Sequence, residues 1–171
     1  MQLRPTALLA VIAEAEPVVG QWRWRFDSSA AMGVPAHVTV LYPFLACRDI
    51  DEAVSASLRA LIGAHPSFAV VFSRCARFGD EVLYLEPDPA APFRALTAAV
   101  TGRWPQCRPY DGQFADVIPH LTVADRQPPH LLAEAEAAVR QQLPVRSRVA
   151  AVELYAFDGK AWTSRDSYSL G

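Results

Sequence analysis

Cysteine is scarce in this chain: Cys47, Cys75 and Cys107 lie far apart, and no C-x-x-C pair occurs. An odd, scattered set supplies neither a disulfide framework nor a zinc knuckle. It points instead to a reducing compartment in which each thiol is a small buried hydrophobe. Long apolar runs are missing too. The most apolar stretch, Ala7 to Ala13 behind Arg4, runs directly into Glu14 and Glu16. It is too short to span a membrane and reads as an inner strand rather than a secretory signal. There is no excess of positive charge: 16 Lys and Arg stand against 18 Asp and Glu, for a net charge of −2. The pI is near 6.1. A protein that grips a long RNA tract by its phosphates is usually basic. Any nucleic-acid partner expected here is therefore short, or is only the terminus of something long. The ligand spacings H-x-H and H-x-x-x-H are absent, and so is the nucleophile elbow G-x-S-x-G. The sequence thus makes no case for a resident metal, a cofactor or a Ser–His–Asp hydrolase. The chain reads as a cytoplasmic monomer.

What the chain does have is the balance of an ordinary globule, with 51% hydrophobic and 20% charged residues in 171. That length suits one domain, or one domain of two similar lobes, and buries a core without staples. Thr6 to Glu14 reads as a first strand, and Pro17 suits the first turn of a helix whose Val18, Trp22 and Phe26 share one face. Ala36 to Tyr42 is a second strand. Asp49 or Asp51 caps a helix striped by Ile50, Val54, Leu58 and Leu61, and Ser67 to Phe78 is a third strand.

The second half repeats this plan. Glu81 to Glu86 is a strand, and Pro92 opens a helix carrying Phe93, Leu96, Val100 and Trp104. A loop from Pro105 to Gln113 leads to the strand Val117 to Ala124. An alanine-rich helix runs from about His130 to Gln142, and a hairpin closes the chain from Arg148 to Phe157 and from Ala161 to Leu170, turning at Asp158-Gly159. Each half reads strand–helix–strand–helix–strand. The expected fold is α+β and bilobed: two pseudo-symmetric halves, antiparallel sheets lining a central cleft, and helices outside. The single domain spans 1–171, with approximate lobes at 1–79 and 80–171 that can exchange terminal strands.

The second strand of each half carries one pattern, H-V-T-V at 37–40 and H-L-T-V at 120–123. Side chains alternate along a strand, so His37 and Thr39 project from one face while Val38 and Val40 enter a core. His120 and Thr122 do likewise. If the lobes face each other, two imidazoles and two hydroxyls converge on one groove. Opening a cyclic phosphodiester with water needs a base for the water's proton and an acid for the departing sugar oxygen. Histidine suits both roles, because its ordinary pKa lies near working pH. Threonine hydroxyls, stiff at χ1, can donate to the non-bridging oxygens as charge builds there. For two of four histidines to have threonine at the second following position by chance is on the order of one per cent. The pair therefore outweighs the ordinary reading of each histidine as a satisfied strand residue.

Other residues carry less. Tyr42 and Phe44, just beyond the first motif, are candidates for stacking on a base, although aromatics near strand ends more often belong to the core. Trp22, Arg23, Trp24 and Arg25 suggest a nucleic-acid surface, but only Trp22 lies on the apolar stripe, and Trp24 is expected to be exposed. His65 and His130 lack threonine partners and read as surface residues.

The duplicated H-x-T-x motif resembles that of the two-histidine (2H) phosphoesterase superfamily, and the layout is similar to its 2′-5′ RNA ligase branch. The resemblance in element order covers nearly the whole chain, and its diagnostic residues are His37, Thr39, His120 and Thr122. It implies a bilobed fold with a central cleft, catalytic His37 and His120, and phosphate-binding Thr39 and Thr122. It also implies 2′,3′-cyclic phosphodiesterase activity that leaves a 2′-phosphate, on a small nucleotide or an RNA terminus. Some members join 2′-5′ linkages without ATP, which makes RNA ligation one alternative and a non-catalytic nucleotide- or RNA-end-binding module another. Relatives often carry a basic residue five positions after the second histidine. Here that position is Asp125, followed by Arg126 as a candidate substrate contact. With the acidic pI, this departure weakens the case for ordinary RNA.

Overall fold

The apolar run near the start forms strand β1 (Thr6–Val11), which ends sooner than its composition suggests, since Ala13–Ala15 already turns as a 3-10 helix. The computed structural model describes residues 4–171. After β1 come α1 (Glu16–Phe26), the single turn α2 (Ser28–Ala31), β2 (His37–Leu41), α3 (Glu52–Gly63) and β3 (Phe68–Phe78). The chain continues through β4 (Val82–Asp88), α4 (Ala91–Arg103), β5 (Leu121–Asp125), α5 (Pro129–Arg140), β6 (Val145–Val149), β7 (Ala151–Phe157) and β8 (Trp162–Ser169). Pro17 and Pro92 each sit in the first turn of a helix, where no N–H is required. Of the two candidate caps for α3, Asp51 serves, its carboxylate accepting from the Val54 N–H at 2.9 Å.

Two antiparallel sheets of four strands result, in the orders β2-β1-β7-β8 and β5-β4-β3-β6. Each sheet draws on both halves of the sequence: β3 pairs with β4 and β6, while β7 pairs with β1. The expected strand from Arg148 to Phe157 is accordingly two strands. The chain leaves one sheet at Val149 and enters the other at Ala151, and the Ala150 carbonyl accepts from the Leu170 N–H at 2.9 Å. One continuous core lies beneath the two sheets, from Leu8, Val38 and Val40 through Leu83, Leu121 and Val123 to Phe93 and Leu132.

This topology leaves β2 and β5 as edge strands of their respective sheets, and the two edges lie side by side. An exposed edge is a liability that proteins cover, and here each motif-bearing edge shelters the other. The helices cross over in a matching way: α1 packs against β5, and α4 against β2. Among the described residues, no helix is long and apolar enough to cross a membrane.

Candidate active site

Along β2 the expected alternation is present: Val38 and Val40 are buried, whereas His37 and Thr39 are half-buried. On the other edge Leu121 and Val123 are buried, while His120 and Thr122 are half-buried. His120 stands just before β5 rather than inside the longer strand expected from Val117. Continuing the β4–β5 register outward would set Pro119 opposite Pro87, and neither has an N–H to give.

Both motif strands are bulged at one equivalent residue. Leu9 pairs with Thr39 and Leu8 with Leu41, leaving Val40 over; Tyr84 pairs with Thr122 and Leu83 with Ala124, leaving Val123 over. A bulge bends its strand and re-aims the neighbouring side chains. The Val40 carbonyl, freed from the ladder, accepts from the Thr97 hydroxyl of α4 at 2.7 Å.

The imidazoles are held alike. His37 Nδ1 lies 2.8 Å from the Pro35 carbonyl, and His120 Nδ1 lies 2.7 Å from the Ile118 carbonyl. A carbonyl oxygen only accepts, so each Nδ1 carries the hydrogen and each Nε2 is left with its lone pair free. The rings are close enough for a charge on His120 to disfavour one on His37. Burial lowers the His37 pKa to about 4, helped by the positive charge of Arg23 and opposed by the Pro35 bond and Asp27. His120 is also lowered by burial, against the Ile118 bond. Both rings are therefore neutral at neutral pH in the protein by itself.

Their surroundings differ. His120 stands edge-on to Phe78 and Tyr84, with ring centroids 5.0 and 5.6 Å away. The segment leading into it, Ile118-Pro119, borders a recess of about 560 Å³ that also holds Arg74, Glu86 and Asp88, with Arg74 and Glu86 paired at 3.1 Å. His37 and Thr39 instead line a smaller pocket of about 250 Å³ with Tyr42, Tyr110 and Trp162. Among the described residues, no three His, Cys, Asp or Glu side chains gather as a metal-ligand set.

Behind His37 lies a feature that its sequence neighbourhood disguises. Arg23, grouped by sequence with a nucleic-acid surface, is 1% exposed. Its guanidinium donates to Asp27 Oδ2 from two nitrogens, at 3.2 and 3.1 Å, and also to the Val34 carbonyl and Ser29 Oγ. Asp27 in turn caps α2, accepting from the Ser29 N–H and hydroxyl. Trp24 is 68% exposed, as expected, and Arg25 packs over Trp22 and Phe26.

Tyr42, at the pocket's edge, is 36% exposed. Phe44 is not available to a ligand. It is 5% exposed and packed edge-on against Trp104 in the core, and its N–H donates to the Thr6 carbonyl at 2.9 Å, so the chain beyond Pro43 stays alongside β1. Arg126 is exposed on a left-handed turn past the end of β5, its N–H donating to the Glu81 carbonyl at 2.9 Å, and it does not line the pocket beside His37. His130 is exposed, and the half-buried His65, just past the end of α3, bonds back to the Leu61 carbonyl of that helix. Tyr110 is a pocket residue that sequence reasoning misses. It sits in a loop after α4 in a left-handed conformation (φ 49°) and donates its N–H to the Tyr42 carbonyl at 2.7 Å.

Residues 11–161 match the family model of the 2′-5′ RNA ligase superfamily. The chain belongs to that superfamily. The resemblance read from H-V-T-V and H-L-T-V is therefore borne out. Its fold is similar to that of E. coli LigT complexed with 3′-AMP, at a TM-score of 0.63 and 16% identity over 99% of each chain. LigT complexed with NADP+ gives 0.60 at 16% identity, again over 99% of each chain. The Thermus thermophilus protein TT0787 gives 0.55 at 15% identity, over 96% of this chain and 97% of that one. No curated protein sequence matches the chain. The superfamily members thus share the bilobed α+β architecture, and at such identities the structural likeness speaks for the fold alone.

Proposed function

We propose that the chain hydrolyses a 2′,3′-cyclic phosphodiester, on a nucleotide or an RNA terminus, with His37 and His120 as its acid–base pair. The matched Nδ1 bonds carry this reading. Each fixes a ring so that only Nε2 is free for proton transfer, and a charge on His120 disfavours one on His37. One neutral Nε2 takes the proton of the attacking water as its oxygen bonds to phosphorus. The other imidazole, protonated, delivers its proton to the 3′-oxygen as the P–O3′ bond breaks. A 2′-phosphate and a free 3′-hydroxyl result, and the pair has exchanged protonation states. Thr39 and Thr122 donate to the non-bridging oxygens, where preorganised hydrogen bonds weigh most. The phosphodiester's own negative charge favours a proton on one ring, offsetting the burial that otherwise keeps both neutral.

Membership of the superfamily and the fold shared with LigT support a phosphoesterase or ligase of this kind. LigT is solved with 3′-AMP, NADP+ and ATP, all of which join adenosine to phosphate, and this favours a nucleotide substrate here. The test is product analysis of purified protein with nucleoside 2′,3′-cyclic monophosphates in excess chelator. The expected outcome is accumulation of the 2′-monophosphate at an undiminished rate. Product appearing only when a divalent metal is restored would overturn the mechanism.

A further inference from the structure

We propose that Glu16 is a positioning residue for His37: a carboxylate on α1 that holds the chain leading into the first motif and so fixes the tautomer and aim of the ring. This rests on the acid–base reading of His37 and adds a residue to it. The segment Val34-Pro35-Ala36 is the seat of the imidazole, because the Pro35 carbonyl accepts from His37 Nδ1 at 2.8 Å. Every main-chain polar group of that seat is engaged. The Val34 N–H donates to the Ser29 carbonyl at 2.9 Å, and the Val34 carbonyl accepts from Arg23 Nη1 at 3.0 Å. The Ala36 carbonyl accepts from the Ile12 N–H at 2.8 Å, and the Ala36 N–H donates to Glu16 Oε1. Pro35 has no N–H to place. Ala36 is fully buried, and a buried main-chain N–H needs a partner. Glu16 supplies it from 20 residues earlier in the chain.

Two further observations single this contact out. Gly20 stands in the middle of α1, where glycine weakens a helix relative to alanine. A Cβ there would lie 2.9 Å from Glu16 Oε2, so the bare position is the room the carboxylate takes up in reaching Ala36. The second histidine makes no such demand. Val117 precedes His120 by three positions, as Val34 precedes His37, and its carbonyl accepts from Arg94 Nη1 of α4 at 3.2 Å. Ile118 gives the carbonyl that holds the ring, but Pro119 stands where Ala36 does and has no N–H to satisfy. The carboxylate clamp therefore acts on the His37 side. Glu16 does not line the pocket that His37 and Thr39 share, so its influence on a substrate passes through the ring.

The experiment combines imidazole nitrogen NMR with steady-state kinetics on nucleoside 2′,3′-cyclic monophosphates, for wild type, Glu16→Ala, Glu16→Gln and Gly20→Ala. In the wild type at neutral pH both rings should carry their hydrogen on Nδ1. In Glu16→Ala the His37 signals should move toward a mixture of tautomers while those of His120 stay. Its kcat should fall by about tenfold to a hundredfold with KM little changed, the usual cost of a misplaced reacting group. Glutamine still offers a carbonyl oxygen to the Ala36 N–H, so Glu16→Gln should restore most of what alanine loses. Gly20→Ala favours the helix yet crowds the carboxylate, so it should keep or raise Tm while shifting His37 in the same direction. It carries the comparison if Glu16→Ala does not fold. His37 signals unmoved in both variants, equal changes at His120, or a loss carried by KM overturn the proposal. If no diester is cleaved, the NMR comparison decides alone: a change confined to His37 still supports the clamp, and its absence refutes it.

Discussion

Replacing His37 or His120 with alanine is expected to lower kcat/KM by about 10²–10⁴-fold in each case, the usual worth of a positioned general acid or base. The double variant should fall little further, because two groups that pass a proton through one transition state act as a unit. The wild-type pH profile carries the same information. The reactive form needs one ring protonated and one neutral. With His37 lowered from 6.5 to about 4 and His120 lowered as well, that form is most abundant on the acid side of 6.5. A bell-shaped kcat/KM with its maximum below pH 6.5 is the expected result, its limbs belonging to the pair rather than to either residue. Far-UV circular dichroism of the variants distinguishes lost chemistry from lost fold.

The second large effect is on stability. Arg23→Ala should destabilise the protein by about 3–5 kcal/mol, since it strands the buried Asp27 carboxylate and removes the guanidinium's hydrogen bonds to Asp27, Val34 and Ser29. For a chain of this size that corresponds to a fall of about 10 °C or more in Tm. Replacing the two together, Arg23→Met with Asp27→Leu, should recover much of the loss, because neither charge then remains buried alone. The recovered variant has a further signature. Arg23 weighs more on His37 than the opposing Asp27, so removing both raises the His37 pKa and moves the acid limb of the profile upward. Stability shares that sign. A histidine whose folded pKa is depressed binds its proton more readily when unfolded, so its contribution is intact above 6.5 and is lost as pH falls toward about 4. Denaturant midpoints measured across that window, with His37→Gln as reference, check the direction.

The site's central residues are legible because strand periodicity is simple. Val38 and Val40 must share a face, which leaves His37 and Thr39 on the other, and the second motif repeats the statement. The order of helices and strands follows from apolar stripes and from Pro17 and Pro92. Partnership between distant segments, by contrast, leaves no local trace. Nothing within residues 148–157 shows that Ala150 is where the chain changes sheets, since composition is uniform across it. The bulges at Val40 and Val123 likewise depend on the facing strands. Arg23 reads as a surface cation because its neighbours are Trp24 and Arg25. Its spacing of four from Asp27 is a readable signal, but the depth of the pair is not. Phe44 fails as a ligand contact for the reason that makes most buried aromatics silent, a better partner in Trp104. Tyr110 lies in a polar loop whose docking onto Tyr42 has no sequence signature.

A crystal structure of the protein with adenosine 2′-monophosphate bound tests the central claim most directly. It should show both Nε2 atoms within hydrogen-bond reach of one phosphate from opposite sides, with the Thr39 and Thr122 hydroxyls on its remaining oxygens. A phosphate held by one histidine alone, with the other ring turned to a separate surface, would contradict the account.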